Sequence, residues 1–239
     1  IPDSVNGVYK GAFLDCTNIK EIVFPDSIEE LGSYLCSGCT ELTKVTLNNT
    51  TQNVASYMFE NCTSLEGIVL PDTVININDH AFKGCISLKT IELGNALKYI
   101  DKYAFEDCDA LTNFIIPNTV TEIGMGVFYD CDTLTDVKLG TGINKIPDSA
   151  FEDCDKLASI VLPYRVESIG NYAFKNDVAL TEVTIPRATT SISSSAFSYF
   201  DKMTIYGIPG TYAETFAKEN EIKFVAKEVK ATKVVLDKN

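Results

Sequence analysis

Histidine is almost absent from this chain. His80 is the only one among 239 residues. General acid–base catalysis leans on histidine more than on any other side chain. A lone histidine, with no nucleophile or carboxylate recurring in phase with it, argues against that chemistry. Also missing are a glycine-rich phosphate loop, a zinc-protease motif and a nucleophile elbow. Basic residues are scarce: 20 Lys and Arg stand against 33 Asp and Glu, giving a net charge of −13 and a pI near 4.5. That balance argues against nucleic acid or an anionic membrane surface as a partner. No apolar run approaches the roughly 20 residues of a membrane span, and no signal peptide is present. Hydrophobic content, at 45%, is ample for a core.

The chain's own order lies in a repeat. An aromatic anchor stands at Phe13, Phe59, Phe82, Phe105, Phe128, Phe151, Phe174 and Phe197, with Cys36 filling the missing place, and every step is 23 residues. Three residues after each anchor stands Cys16, Cys39, Cys62, Cys85, Cys108, Cys131 or Cys154, then Asp177 and Phe200 in the last two copies. Six after it comes Ile19, Leu42, Leu65, Leu88, Leu111, Leu134, Leu157, Leu180 or Met203. A strict period in this range marks an array whose copies bury a continuous core only by stacking.

Seven of the eight cysteines therefore share one phase, which makes them a column of small buried side chains. Stacked coils lie roughly 4.8 Å apart, wider than the ~3.8 Å that a disulfide wants between Cβ atoms. Cys36-Ser37-Gly38-Cys39 imitates a redox or zinc motif. The phase explains it better: Cys36 replaces the aromatic anchor and Cys39 belongs to the column. No second cysteine pair or histidine cluster supports zinc.

The first twelve residues match the tail of a repeat, Pro2, Val5 and Val8 answering Pro25, Ile28 and Leu31. The chain thus starts in mid-repeat, as expected of a fragment or processed form, so a missing signal peptide says nothing about secretion. Within a copy, Leu88–Leu93 reads as a short strand, with Leu88, Ile91 and Leu93 facing the core. Gly94, or elsewhere Pro25, Pro71, Pro117, Pro163 and Pro186, ends it. Leu97 and Ile100 supply a second apolar wall. A short helical or 3₁₀ turn is expected at the corner through Ala104 and Phe105. A weaker period of 46 makes the outward strand position alternate as Val23, Thr46, Val69, Glu92, Ile115, Lys138, Val161 and Thr184. Outward apolar residues at every second copy fit either a surface that touches a partner or plain β-propensity.

The array ends near Pro209-Gly210. Thr211-Tyr212-Ala213-Glu214 has the form of a capping box, followed by a helix with Ala213, Phe216 and Ala217 on its apolar stripe and Asn220 as its stop. Ile222, Phe224 and Ala226 alternate as a last strand. Together these form the cap a solenoid needs. Residues 227–239 have no repeat phase and read as a linker or the start of another domain.

The pattern Leu-x-x-Ile-x-Leu-Pro, then Val-x-x-Ile-Gly-x-x-Ala-Phe-x-x-Cys, resembles the BspA-like leucine-rich repeats. The fullest copies are Leu111–Cys131, with Ile123-Gly124 and Phe128, and Leu157–Phe174, with Ile169-Gly170. Copy two departs from it at Cys36 and across Asn48–Asn53. The predicted fold is a strand-rich α/β solenoid: a right-handed leucine-rich-repeat horseshoe of about nine 23-residue repeats over residues 1–209, capped by a helix and strand over 210–226. Ala231–Asn239 resembles the first strand of a bacterial immunoglobulin-like domain. The resemblance implies a secreted or surface-anchored bacterial protein that binds host extracellular proteins or other cells. It carries over no catalytic residue, cofactor or fixed ligand-contacting position.

Two smaller features need a place. Asp107, Asp130 and Asp153 share a phase, as do Asp109, Asp132 and Asp155, so stacking would crowd like charges. A solvated, screened acidic face accounts for them; calcium would relieve the repulsion. No metal site is assigned. His80 shares its phase with Tyr34, Tyr57, Tyr103 and Tyr172, a position that prefers a ring. The expected function is a non-enzymatic binding module, adhesin-like, that meets an extracellular protein or glycan on the outward strand face at Glu66, Val69, Thr90, Glu92, Asn113, Ile115, Asp136, Lys138 and Val161. The alternative is a structural spacer, about nine coils giving an arc of roughly 40 Å.

Overall fold

The computed structural model describes residues 1–199 and 202–227. Phe200 and the immunoglobulin-like stretch 231–239 lie outside the described residues. The chain winds as a parallel β-solenoid of about nine turns with a C-terminal helix. The three-residue strands, from Glu21–Val23 to Glu182–Thr184, recur once per coil on one face, hereafter the strand face. The strand of the fourth full copy is Thr90–Glu92, shorter than the Leu88–Leu93 expected, because Leu88 closes a turn by donating its N–H to the Cys85 carbonyl at 2.9 Å.

The second apolar wall is itself a sheet, which the sequence pattern did not announce. Two-residue strands such as Asn76–Ile77, Tyr99–Ile100 and Glu122–Ile123 pair in parallel along a lateral face. Two residues are too few to display an alternation, so only Ile77, Ile100 and Ile123 show as a period.

The corners are not helical. They are successive β-turns, and each copy but the last has two residues in the left-handed region. One column holds Gly11, Tyr34, Tyr57, His80, Tyr103, Gly126, Ser149 and Tyr172; the other holds Asp15, Gly38, Asn61, Gly84, Asp107, Asp130, Asp153, Asn176 and Tyr199. Two positive-φ residues in so short a segment are incompatible with a helical turn. The freed amides bond to the next coil instead: Phe82 N–H to the Ala104 carbonyl at 2.9 Å, Gly84 N–H to that of Glu106 at 2.8 Å. The corner is a third hydrogen-bonded ladder.

The core is built of columns. Phe59, Phe82, Phe105, Phe128, Phe151, Phe174 and Phe197 stack ring on ring at 5.2–5.7 Å, and Phe114 wedges its ring against Phe105 and Phe128 at 4.9 Å from each. Cys36 and all the column cysteines are free thiols, and all but Cys16 are buried. Each thiol from Cys39 to Cys154 donates to the backbone carbonyl of the anchor 26 residues earlier, as Cys131 does to Phe105 at 3.0 Å and Cys154 to Phe128 at 3.1 Å. Cysteine is therefore chosen for more than its size: it fits a narrow space and gives a hydrogen bond across coils. Burial pushes the Cys62, Cys85, Cys108, Cys131 and Cys154 thiols up, Cys85 to about 12, so these five are poor nucleophiles, whereas the hydrogen bond from Cys36 lowers Cys39.

The strand face is hydrogen-bonded in twos. Glu21–Val23 pairs with Lys44–Thr46, Gly67–Val69 with Thr90–Glu92, and Asn113–Ile115 with Asp136–Lys138. Ser159–Val161 pairs with Glu182–Thr184, and the ladder continues through Thr204–Gly207 to the last strand, Lys223–Ala226. Here lies a backbone reason for the 46-residue period. Each pair is extended by a bond from the residue before proline, Leu70 N–H to the Glu92 carbonyl at 2.9 Å and Ile116 N–H to that of Lys138 at 2.8 Å. Backbone groups alternate sides along a strand, so the proline that follows lacks its donor on the side where the sheet divides. Pro186 lacks the same donor, yet its coil is paired on both sides; proline favours the division without alone producing it. Gly94 lies against the preceding coil, where a Cβ would come 2.3 Å from the Pro71 carbonyl oxygen. Asn48, in the same phase, bonds the equivalent Pro25 carbonyl at 2.9 Å through its side chain.

In the last coil the offset falls from 23 to 22, Glu182 pairing with Thr204 and Val183 with Ile205. The helix Tyr212–Glu219 buries Ala213, Phe216 and Ala217, and Asn220 caps it. The capping box is realised only in part. Glu214 reaches back to the Gly210 N–H at 2.7 Å, but the Thr211 hydroxyl donates to the Ile208 carbonyl and caps no amide.

Candidate binding face

Eight of the nine expected contact residues stand exposed in two columns of the strand face: Thr90, Asn113 and Asp136 in one, and Val69, Glu92, Ile115, Lys138 and Val161 in the other. Glu66 is exposed but lies one residue ahead of its strand, where Gly67 holds the corresponding place, and it pairs with Lys89 at 3.1 Å. Thr184, expected to point outward, is buried at 4% exposure. Its in-register partner in the shortened last coil is Tyr206, whose ring shares its side of the sheet.

The apolar members are open to solvent. Val23 is 44% exposed, Val69 59%, Ile115 38% and Val161 57%. They stand two coils apart, roughly 10 Å, separated by Thr46, Glu92 and Lys138. The residues between them on each strand, Ile22, Ile68, Phe114 and Ile160, are buried. Where the strands Lys44–Thr46 and Gly67–Val69 are not hydrogen-bonded, a groove of about 470 Å³ opens on this face, lined among others by Lys44, Thr46, Val69, Thr90 and Glu92. Gly67 keeps it open: a side chain there would meet the Thr90 hydroxyl at 2.6 Å.

The acidic corners have a conformational cause. Asp107, Asp130 and Asp153 occupy left-handed positions at φ 57°, 57° and 64°, in a column otherwise filled by Gly, Asn and Asp until Tyr199. These are the residues that tolerate that region. Among the described residues no group of three or more His, Cys, Asp or Glu is arranged to hold a metal ion. Crowding shows in the acidity: Asp130 is pushed up to about 6 by desolvation and then by Asp107, Asp132 and Asp153. An Asp130 carboxyl raised above the ordinary ~3.9 leaves the protein unpenalised below pH ~4 and less stable as pH rises toward 6 and beyond. Asp130→Asn, which keeps the left-handed preference, is expected to raise the urea midpoint at pH 7.5 and leave it unchanged near pH 3.5, with 1 M salt shrinking the difference.

The ring column is real. Tyr34, Tyr57 and His80 stack at 4.5 and 4.6 Å, and His80 on Tyr103 at 5.2 Å. His80 Nε2 lies 3.8 Å from Glu106, whose other oxygen holds Lys83 at 2.9 Å. His80 is a member of a stack, with no nucleophile beside it. The column breaks at Gly126, where the Tyr103 ring fills the space of a side chain.

The chain belongs to the family described as the BspA type leucine rich repeat region, which it matches in six copies over residues 1–112 and 98–220. A comparison with curated proteins finds no match. Among solved structures it is similar to a leucine rich cell surface protein from Faecalibacterium prausnitzii, at 25% identity and TM-score 0.57, covering 87% of this chain and 65% of that one. It is similar also to a leucine-rich repeat protein from Bacteroides ovatus, at 25% identity and TM-score 0.57, covering 95% and 77%. A leucine rich repeat protein of T. pallidum shares 29% identity at TM-score 0.53, over 74% and 72%. The chain spans about two thirds of the length of the F. prausnitzii protein. It is thus a leucine-rich repeat protein of the BspA type. Among the described residues no helix is long and apolar enough to cross a membrane.

Proposed function

We propose that this array is a non-enzymatic binding module, adhesin-like, displayed outside a bacterial cell, which recognises an extracellular protein or glycan through its strand face. The observation that carries the reading is the exposed apolar column Val23, Val69, Ile115 and Val161, set between Thr46, Glu92 and Lys138 on paired strands. A surface of this kind lies beside a groove and needs no rearrangement to meet a partner. The similarity to a protein named for the cell surface supports the location.

The test is the double variant Ile115→Asp/Val161→Asp. Both side chains point to solvent, so each change is expected to cost no more than about 1 kcal/mol through β-propensity. Thermal unfolding should remain close to that of the parent. Binding to whichever matrix protein, mucin or cell-wall polymer the parent retains should fall below detection. An unfolded double variant would show these residues to be core. Absence of binding by the well-folded parent would favour a spacer, a role to which the unbroken phenylalanine stack also lends itself.

A further inference from the structure

The lateral sheet is interrupted between Glu30–Leu31 and Asn53–Val54, which pair with Gly7–Val8 and Asn76–Ile77 respectively but not with each other. In most coils of this face an amide donates to the coil before, as Ile75 N–H does to Gln52 at 2.7 Å and Lys98 N–H to Ile75 at 2.8 Å; a second break separates Glu122–Ile123 from Lys145–Ile146. The counterpart here would join Gln52 N–H to the Glu29 carbonyl. Among the described residues no backbone bond links them.

What sets the break at Glu30–Leu31 apart is the polar run Asn48–Asn53. Asn48, 3% exposed, donates to the carbonyls of Pro25 at 2.9 Å and Ile28 at 2.8 Å and accepts from the hydroxyls of Thr50 and Thr51 at 3.1 and 2.6 Å. Thr51 takes a place held by Ile28 and Val74 in the neighbouring copies. Side-chain bonds to the Pro25 and Ile28 carbonyls thus hold this coil to the one before it where the backbone ladder is missing. The space left is a groove of about 750 Å³, within the ~300–1,000 Å³ of small-molecule sites.

Its walls are chemically particular. Gln52, Asn53 and Asn78 bring planar amides, Ser33 and Thr50 bring hydroxyls, and the Tyr9 ring stands at the rim, 67% exposed. Amides donate and accept in one plane, which suits vicinal hydroxyls, and an open ring face suits the C–H face of a sugar. Lys10 stands against Glu29 and Glu30, so a multiply charged anion would meet no net positive charge here. A peptide strand fits poorly. It would need about 4.8 Å on each side, and the coils are tied across the gap by the Asn48 bonds and by Tyr34 N–H to the Ser56 carbonyl at 3.0 Å. We propose that this groove binds a neutral oligosaccharide, at a site separate from the strand face.

The experiment screens the whole chain on an array of neutral gluco-, galacto-, manno- and N-acetylhexosamine oligosaccharides, then titrates the strongest hit by calorimetry. The variants are Tyr9→Ala, Gln52→Ala and, as a control on the other face, Ile115→Asp/Val161→Asp. Tyr9 and Gln52 are exposed, so thermal unfolding should not move. The expected result is saturable binding, weakened at least threefold by Tyr9→Ala or Gln52→Ala and unchanged in the strand-face control. No saturable binding, binding indifferent to both groove changes, or binding lost in the control would each overturn the proposal. The last outcome would instead place the sugar on the strand face.

Discussion

Phe128→Ala is expected to cost about 3–5 kcal/mol, the range for removing a fully packed phenylalanine. Phe128 has no exposed surface. Its ring stacks on Phe105 at 5.7 Å and Phe151 at 5.5 Å and receives the edge of Phe114 at 4.9 Å, so the hole would lie among three rings from neighbouring coils. In a globular core the lining could relax from several directions. In a solenoid each coil meets only its two neighbours, and the three hydrogen-bonded ladders fix their spacing. The cavity should therefore stay open and the contact between the two halves of the array should weaken. Two signatures follow in urea unfolding: a lowered midpoint, and a broadened or split transition as the halves cease to unfold together. The chain has no tryptophan, so tyrosine fluorescence and far-ultraviolet circular dichroism are the probes. A loss under 1 kcal/mol with a sharp single transition would mean that the ring column is not what couples the coils.

Asp177→Asn is expected to stabilise the protein by about 1–3 kcal/mol near neutral pH, the scale on which a displaced carboxyl pKa couples to folding. Asp177 sits where the cysteine column ends, 3% exposed. One carboxyl oxygen accepts the Cys154 N–H at 2.9 Å, and the other is buried without a hydrogen-bond partner among the described residues. Burial holds the carboxyl well above the usual carboxylate range, against the pull of the Cys154 amide and reinforced by Asp153 and Asp155. The folded-state pKa lies above the unfolded value of ~3.9. At pH 3 the carboxyl is neutral in both states and costs nothing through its charge. As pH rises, the unfolded chain releases the proton first, and stability falls by up to about 1.4 kcal/mol per pH unit until the folded group ionises too. Asparagine keeps the acceptor for Cys154 and removes the charge. The difference between variant and parent should thus be small at pH 3 and grow toward pH 7. Asp177→Cys, which restores the thiol column, should flatten the same pH dependence. A pH-independent difference would show that Asp177 is solvated in the folded protein.

How much of this was legible in the sequence depends on the length of the signal. The 23-residue spacing of Phe and Cys revealed the solenoid and its core columns, because a ring or thiol in the wrong phase would leave a hole. The lateral sheet stayed hidden, since a two-residue strand such as Tyr99–Ile100 has no alternation to read. The expected corner helix was wrong for a readable reason. A column of Asp15, Gly38, Asn61, Gly84, Asp107, Asp130, Asp153 and Asn176 is the signature of a left-handed residue. Those aspartates invited a thought of charge and calcium because only three copies were compared, without the Gly and Asn that fill the rest of their column. The thiol–carbonyl bonds needed three dimensions, since donor and acceptor stand 26 residues apart, not 23. On the candidate face, Val69, Ile115 and Val161 were found as outward residues because strand alternation is strict. The grooves were not found, because each arises where a bond between coils is missing. The polar run Asn48–Asn53 was the one visible sign of the lateral groove.

Whether a partner seats on the strand face can be read from hydrogen exchange of the array, free and saturated with the strongest protein or glycan partner found by screening. The strands are held by parallel ladders on a buried core, so protection added by a partner should report contact and not folding. Slowed exchange is expected at Gly67–Val69, Asn113–Ile115 and Ser159–Val161, abolished by Ile115→Asp/Val161→Asp. Slowed exchange confined to the corners or the lateral face, with those three strands unchanged, would contradict the strand-face reading.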